Sequence, residues 1–535
     1  MPPWSERRCA ACGEPALPIG EPLSLSGGQG PEAGRAGARG ARCALGYLLL
    51  LSFMLVPLFA TRVLPLADYP NHMARLFILE KAGSSPTLSR FYLPSWHPIP
   101  NLGLELVALP MVPLLGVDLS GRVFLALAFL LVSSGTIALY RALHGEISWW
   151  PLLGLLLLYN RVLVWGFLSY IFGVGLALWA FALWILVARK TLSFRLLFAL
   201  LGLALTLTHV AAFAFLALLL SAYEIGRAQD EGLRGLGRAA LRLAPPLLPS
   251  LLALAFWSAR GPREAIHYDA FRQKFWSLSW LVELYAEGPQ RAVVVVAFAA
   301  LLALIASGRV ALHKAMVPPL GLLALAYLAM PGSAFGGYYA DTRLLVASSF
   351  VLVASTRPRL PHSALGPVLL ATLCAADATF IALRWRSFVG PIEAVRSACE
   401  ALPRGARLLG VVAHEGDMDA LFSPPLVHAA SWCVLSREAF VPNIFALEAH
   451  QPLALTPESE DLRKATPYPL YFRRDLARLQ EAGPSDPQNP FSPRLLARYE
   501  FLLVVRGEDF PFGPPPEWRI VVEEGAVRLY AKGGS

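Results

Sequence analysis

The stretch Pro65-Leu66-Ala67-Asp68-Tyr69-Pro70-Asn71-His72-Met73-Ala74-Arg75 brings a carboxylate, an imidazole and a guanidinium close together in the chain. Pro70 suits the first turn of a helix, which would put His72, Arg75 and Leu76 on one face with Leu79. Asp68 would then lie just ahead of that helix, where free backbone N–H groups and the helix dipole favour an anion. The plain reading is a helix-capping aspartate. The chemical reading is a carboxylate held beside His72 and Arg75 and able to take a proton from a hydroxyl.

Other ionisable residues stand in apolar surroundings, where a charge is costly and faces a cavity or a partner. Glu105 falls at the start of an apolar run and would either line a cavity or pair with Arg75. Asp341 and Arg343 follow Gly336-Gly337-Tyr338-Tyr339; Arg343 could hold a phosphate by charge-assisted hydrogen bonds, or the two could pair with each other. His209 sits within an apolar run and reads first as a hydrogen-bonded packing histidine. Asp377 could line the same cavity or rest at the water boundary. The 259–290 loop carries His267, Asp269, Lys274, Trp276 and Trp280. Its tryptophans read first as interface anchors.

Cys9 and Cys12 form a CxxC, half of a tetrahedral zinc site, and no second half follows nearby. No cofactor is expected, and a divalent metal stays open but unsupported by these residues. Cys399 and Cys433 could pair in an oxidising compartment.

These residues must be positioned by elements suited to lipid. Of 535 residues, 56% are apolar and only 16% charged, against about 25% charged in ordinary soluble domains. Residues 1–384 hold 30 Lys+Arg against 18 Asp+Glu, and residues 385–535 hold 16 against 19. The basic excess belongs to the apolar part, where the positive-inside bias of membrane loops explains it without nucleic acid.

Residues 1–43 read as a disordered tail. Apolar runs at 44–60, 101–117, 122–140, 149–164, 166–188, 196–220, 243–258, 291–307, 314–331, 344–356 and 365–383 predict about eleven transmembrane helices across 44–384. Residues 62–100 form a long first loop. Residues 385–535 predict an α/β soluble domain with strands at 407–413, 501–505, 518–523 and 527–531, the last two joined at Glu524-Gly525. Helices are expected at 470–481 and 493–499. The basic loops place the N-terminus in the cytoplasm, with the first loop, the 259–290 loop and the soluble domain outside; Arg189, Lys190 and Arg195 fall on the wrong side of that scheme. Gly-, Ala- and Arg-rich usage points to a bacterial inner membrane.

This layout, with an acidic residue soon after the first span and an outer C-terminal domain, resembles the GT-C superfamily of membrane glycosyltransferases. The span containing Asn160-Arg161 and Gly166-Phe167-Leu168-Ser169-Tyr170, followed by Thr208-His209, resembles bacterial members. The resemblance covers most of 44–385, by architecture more than by motif. It implies a polyprenyl-phosphate sugar donor and Asp68 as catalytic base, with His72 as its neighbour or a substrate contact. Arg75, Glu105, Asp341 and Arg343 would contact substrate, and the acceptor would be a glycan, lipid or protein. Two features depart from the pattern. The acid after Asp68 is Glu80, where many members carry an adjacent pair. Trp149-Trp150 is followed by proline and does not match the oligosaccharyltransferase acceptor motif.

Two other readings stay open: a transporter or flippase driven by intramembrane charges, and an inactive scaffold on the same fold. The chain shows no clear internal repeat, and its one-sided soluble domain disfavours transport.

Overall fold

In a computed structural model, the described residues are 31–187, 191–258, 266–285, 289–334, 337–359, 365–414, 425–448 and 450–533. The Cys9–Cys12 motif, Arg189 and Lys190 lie outside them. The protein is an integral membrane protein. Among the described residues, five helical stretches are long and apolar enough to cross a bilayer: Cys43–Ala60, Val117–His144, Leu168–Leu186, Val210–Ser258 and Leu365–Glu400. The first helix begins at Pro31, so the tail expected to be disordered is helical over its last part.

The passages can be followed between two faces. At one face Arg122, at the start of helix Val117–His144, donates to the carbonyls of Thr61 at 2.8 Å and Arg62 at 2.9 Å, just past the first span. At the other face His144 reaches the Ala354 carbonyl. The chain returns through Trp150–Leu157 and Arg161–Trp165 to the first-loop face, where Ala67 donates to the Val164 carbonyl at 2.9 Å. It reverses at Gly166, whose φ of 95° is a left-handed conformation open to glycine.

Two expected spans are corrected. The run expected at 196–220 is two helices, Leu192–Thr208 and Val210–Ala228, which turn back on each other at His209. Trp184 shows the reversal: it packs on Phe194 near the start of one and donates to Glu224 near the end of the other, at 2.9 Å. Apolar composition hid this turn, because a single extended residue makes it. The run expected at 101–117 does not cross. Its start is hydrogen-bonded to Leu207 and Ser169, and its end at Gly116 leads straight into the first-loop end of Val117–His144. Both ends therefore lie at the first-loop face, and Glu105 sits in an interfacial segment.

The last span, Leu365–Arg386, delivers the C-terminal domain to that same face. The domain has a five-stranded mixed sheet. In spatial order its strands are Trp518–Glu524, Val527–Lys532, Phe501–Val505, Leu408–His414 and Leu470–Phe472. The first two form the expected hairpin, and the central pair is parallel. The start of the segment expected as a helix at 470–481 is instead an edge strand, with the helix over Arg473–Ala482.

The first loop is built into this domain. Tyr92–Pro94 pairs antiparallel with Leu453–Leu455. Asn71 donates to the Asn443 carbonyl at 2.9 Å and accepts from the Phe445 N–H at 2.8 Å, mimicking one rung of a strand ladder. Cys399 and Cys433 form a disulfide that ties helix Val389–Glu400 to helix Trp432–Arg437.

Candidate active site

Asp68 immediately precedes helix Tyr69–Lys81, but its carboxylate makes no capping hydrogen bond. The backbone there is committed instead, the Asp68 N–H donating to the Trp165 carbonyl. Gly166 lies so close that a Cβ on it would stand 2.8 Å from the Asp68 Cβ. Close approach and left-handed backbone together require glycine at this position.

The partner that the carboxylate does meet comes from the C-terminal domain. His428 Nε2 stands 3.4 Å from Asp68 Oδ1, with the imidazole 5% exposed and the carboxyl 19% exposed. Burial raises the Asp68 pKa to about 7, against the pull of the Arg343 and Arg75 charges. Burial lowers His428 to about 4. At neutral pH the imidazole is therefore neutral, and the contact is a carboxyl beside a neutral ring, not an ion pair. Among the described residues His428 Nδ1 has no hydrogen-bond partner. The edge of the ring packs on Phe445, which also meets His72.

His72 is held at both nitrogens. Nε2 lies 3.0 Å from the Gly166 carbonyl, and Nδ1 lies 3.1 Å from an Arg75 nitrogen. An arginine can only donate, so Nδ1 accepts and Nε2–H donates to Gly166. Burial, then the Arg75 charge, hold its pKa well below the usual value. His72 braces Gly166 against Asp68 and has no nitrogen left for substrate.

Arg75 and Glu105 form a buried ion pair at 2.5–2.7 Å through one carboxylate oxygen, with side chains 1% and 0% exposed. Of the two options the sequence left for Glu105, the pairing with Arg75 is the one adopted. Asp341 does not pair with Arg343. It accepts from Lys274 at 2.9 Å and from the Thr342 N–H at 2.7 Å, and Lys274 also donates to the Met330 carbonyl. The 266–285 loop is thus stapled to the start of helix Ala340–Ser355. A further buried pair, Arg161–Glu283 at 3.3 Å, joins the same loop to helix Arg161–Trp165.

Arg343 differs from these cations. Its guanidinium lies 3.9 Å from the centre of the Phe167 ring, and its charge bears on Asp68. Tyr170 donates to its backbone carbonyl. Beside it Trp165 and Tyr339 stack at 3.6 Å, with Trp280 edge-on. Tyr339 has a φ of 59°, a strained setting for a bulky residue. His209 caps helix Val210–Ala228 by accepting from the Ala211 N–H, and its ring packs on Tyr170.

The structure thus gathers Asp68, His72, Arg75, Glu105 and Arg343 at one face and ties Asp341 into the adjoining loop. It adds His428, Gly166 and the Trp165–Tyr339 stack. Among the described residues no group of three or more His, Cys, Asp or Glu side chains could hold a metal ion.

No protein-family model and no curated protein sequence matches the chain. Solved structures similar to it include two of ArnT. ArnT from Cupriavidus metallidurans bound to undecaprenyl phosphate aligns with a TM-score of 0.53 at 12% identity, over 92% of this chain and 98% of that one. The apo form aligns with a TM-score of 0.52 at 11% identity over the same shares. At such identity the likeness is one of fold: this chain has an ArnT-like membrane fold with a C-terminal sheet domain, the architecture implied by its resemblance to the GT-C transferases.

Proposed function

We propose that this protein is a glycosyltransferase that moves a sugar from a polyprenyl-phosphate donor to an extracytoplasmic acceptor, with Asp68 as general base. The observation that carries the reading is Asp68 itself, a carboxyl at the first-loop face of an ArnT-like fold without a charged partner at contact distance. The ArnT neighbour is bound to undecaprenyl phosphate, which supports a polyprenyl-phosphate lipid as the donor's carrier. The acceptor, whether glycan, lipid or protein, is left unassigned.

In this scheme the acceptor oxygen attacks the anomeric carbon and its proton passes to the Asp68 carboxylate. The bond from the anomeric carbon to the phosphate oxygen breaks, and the electron pair leaves with polyprenyl phosphate. A base whose pKa lies near neutral pH is well matched to such a transfer. The Arg343 guanidinium, whose charge bears on Asp68, is the cation suited to the leaving phosphate. The Trp165–Tyr339 stack offers an aromatic wall against which a sugar ring could lie.

The gathering of the ionisable groups at one face favours group transfer over a transport path through mid-membrane. The disulfide in the C-terminal domain fits an oxidising compartment. With the basic loops, it supports a cytoplasmic N-terminus, an extracytoplasmic C-terminal domain and a bacterial inner membrane.

The test is glycosyl transfer by purified protein in lipid with a panel of polyprenyl-phosphate sugars, wild type beside Asp68→Asn. Transfer that collapses in a folded Asp68→Asn protein supports enzyme and base together. Equal rates in the two proteins would remove Asp68 from the mechanism, and no turnover with any donor would return weight to a scaffold.

A further inference from the structure

A groove of about 610 Å³ runs along the seam between the first and last spans. Its walls are Val56 on one helix and Ala378, Ala382 and Leu383 on the other, and its mouth carries Arg62 and Arg386. Neither Asp68 nor Arg343 lines it, so it is separate from the site above.

Three observations bear on its occupant. The seam helices are peripheral: only 22% of the most apolar window of each is buried within the protein, against 56% for Val117–His144 and 67% for Leu168–Leu186. Phe53, at 51% exposed, and Leu383, at 64%, border the groove and face the hydrocarbon. The alanines of the last span recur at 375, 378 and 382, the spacing of one helix face, so the hollow is cut by small residues. Both arginines lie past the apolar part of their helices, at the level where headgroups begin. Arg62 is shared with Glu393 at 2.8 Å, while Arg386 is exposed and has no charged partner among the described residues.

An apolar trough with a surplus guanidinium at its rim matches a lipid with acyl chains and an anionic head. We infer that this groove binds an anionic glycerophospholipid, which fills the seam with a chain and holds its phosphate at Arg386. The bound lipid completes the packing of two helices that the protein alone leaves largely uncovered. This goes beyond the transfer reaction and does not depend on it.

The experiment uses the full chain in phosphatidylcholine nanodiscs with and without phosphatidylglycerol, reading the unfolding midpoint and bound lipid by native mass spectrometry. Wild type is expected to retain phosphatidylglycerol and to unfold at higher temperature with it. Arg386→Gln should bind it roughly fivefold more weakly, the effect of one surface cation on an anionic lipid. Thr379 is exposed at the groove, so Thr379→Phe fills the trough without touching the core and should abolish both retention and stabilisation. Equal retention in wild type and both variants would overturn the inference. So would displacement of phosphatidylglycerol from the wild type by polyprenyl phosphate in a manner sensitive to Arg386, which would assign the groove to the donor's carrier instead.

Discussion

Two carboxylates at the same face of this protein have been given opposite surroundings. Glu105 is fully buried and locked to Arg75 at 2.5–2.7 Å, and that arginine also fixes His72. Asp68 is partly buried, its contact at 3.4 Å is to an imidazole that is neutral near pH 7, and the nearby Arg343 lies over a phenyl ring. A buried charge matched at contact distance by an opposite charge is a structural fixture, strongly missed if one partner goes. A buried carboxyl without such a match is left near its titration point, where it can exchange a proton. Lys274–Asp341 and Arg161–Glu283 belong with Glu105. Among these four acids, Asp68 is the one without a charged partner at contact distance.

The largest effect should separate the two. Asp68→Asn is expected to lower transfer by about 10²–10⁴ while leaving the fold intact, as judged by its unfolding transition. Comparable turnover in a folded Asp68→Asn protein would erase the contrast.

Glu105→Gln should do the reverse. Stranding Arg75 is expected to cost about 3–5 kcal/mol of stability, read by thermal or denaturant unfolding in detergent. If that protein unfolds like wild type, Glu105 is not the fixture described.

Reducing the Cys399–Cys433 bridge should destabilise the C-terminal domain by about 2–4 kcal/mol, seen as earlier proteolysis of that domain. Because His428 precedes Cys433 on the same segment, transfer should fall in parallel. Unchanged transfer after complete reduction would show that the domain keeps His428 in place without the bridge.

The pH dependence sharpens the picture further. With Asp68 near 7, kcat/KM should rise about tenfold per pH unit below that value and level off above it. Stability moves the other way. The folded carboxyl holds its proton to higher pH than the unfolded one, so stability falls as pH rises from the ordinary carboxylate range through 7. Asp68→Asn should remove that slope.

The smallest expected effect is at His428. With its proton on Nε2, the neutral ring would favour the ionised form of the carboxyl 3.4 Å away. His428→Ala should therefore lower kcat/KM roughly tenfold and move the pH midpoint upward, and His428→Gln, which keeps a donor, should restore most of both. A loss of rate with no shift of midpoint would make His428 merely a packing residue.

Much of the scaffold was legible in the chain because lipid imposes a simple rule. Backbone polar groups must be satisfied within each passage, so spans appear as long apolar runs. The same rule explains the failures. Hydropathy measures composition and not direction, so the run at 101–117 passed for a crossing although it lies along one face. The one-residue reversal at His209 went unseen inside 196–220 for the same reason. In the soluble domain, alternation and turn chemistry marked the hairpin at Glu524-Gly525, while the three-residue strand Leu470–Phe472 was too short to separate from the helix after it.

At the site the division is sharper. The local spacing from Asp68 to Arg75 placed a carboxylate, an imidazole and a guanidinium at the start of one helix, because helical periodicity acts over a few residues. Nothing local could show that His428 would reach Asp68, that Lys274 rather than Arg343 would take Asp341, or that Gly166 would be wedged against the carboxyl. Those contacts join segments more than sixty residues apart, and long-range burial and charge matching select them. Apolar runs and local spacing were enough to specify a membrane-spanning bundle with an acidic first loop and a soluble tail. Only long-range packing set which of its acids meet a cation at contact distance and which, like Asp68, do not.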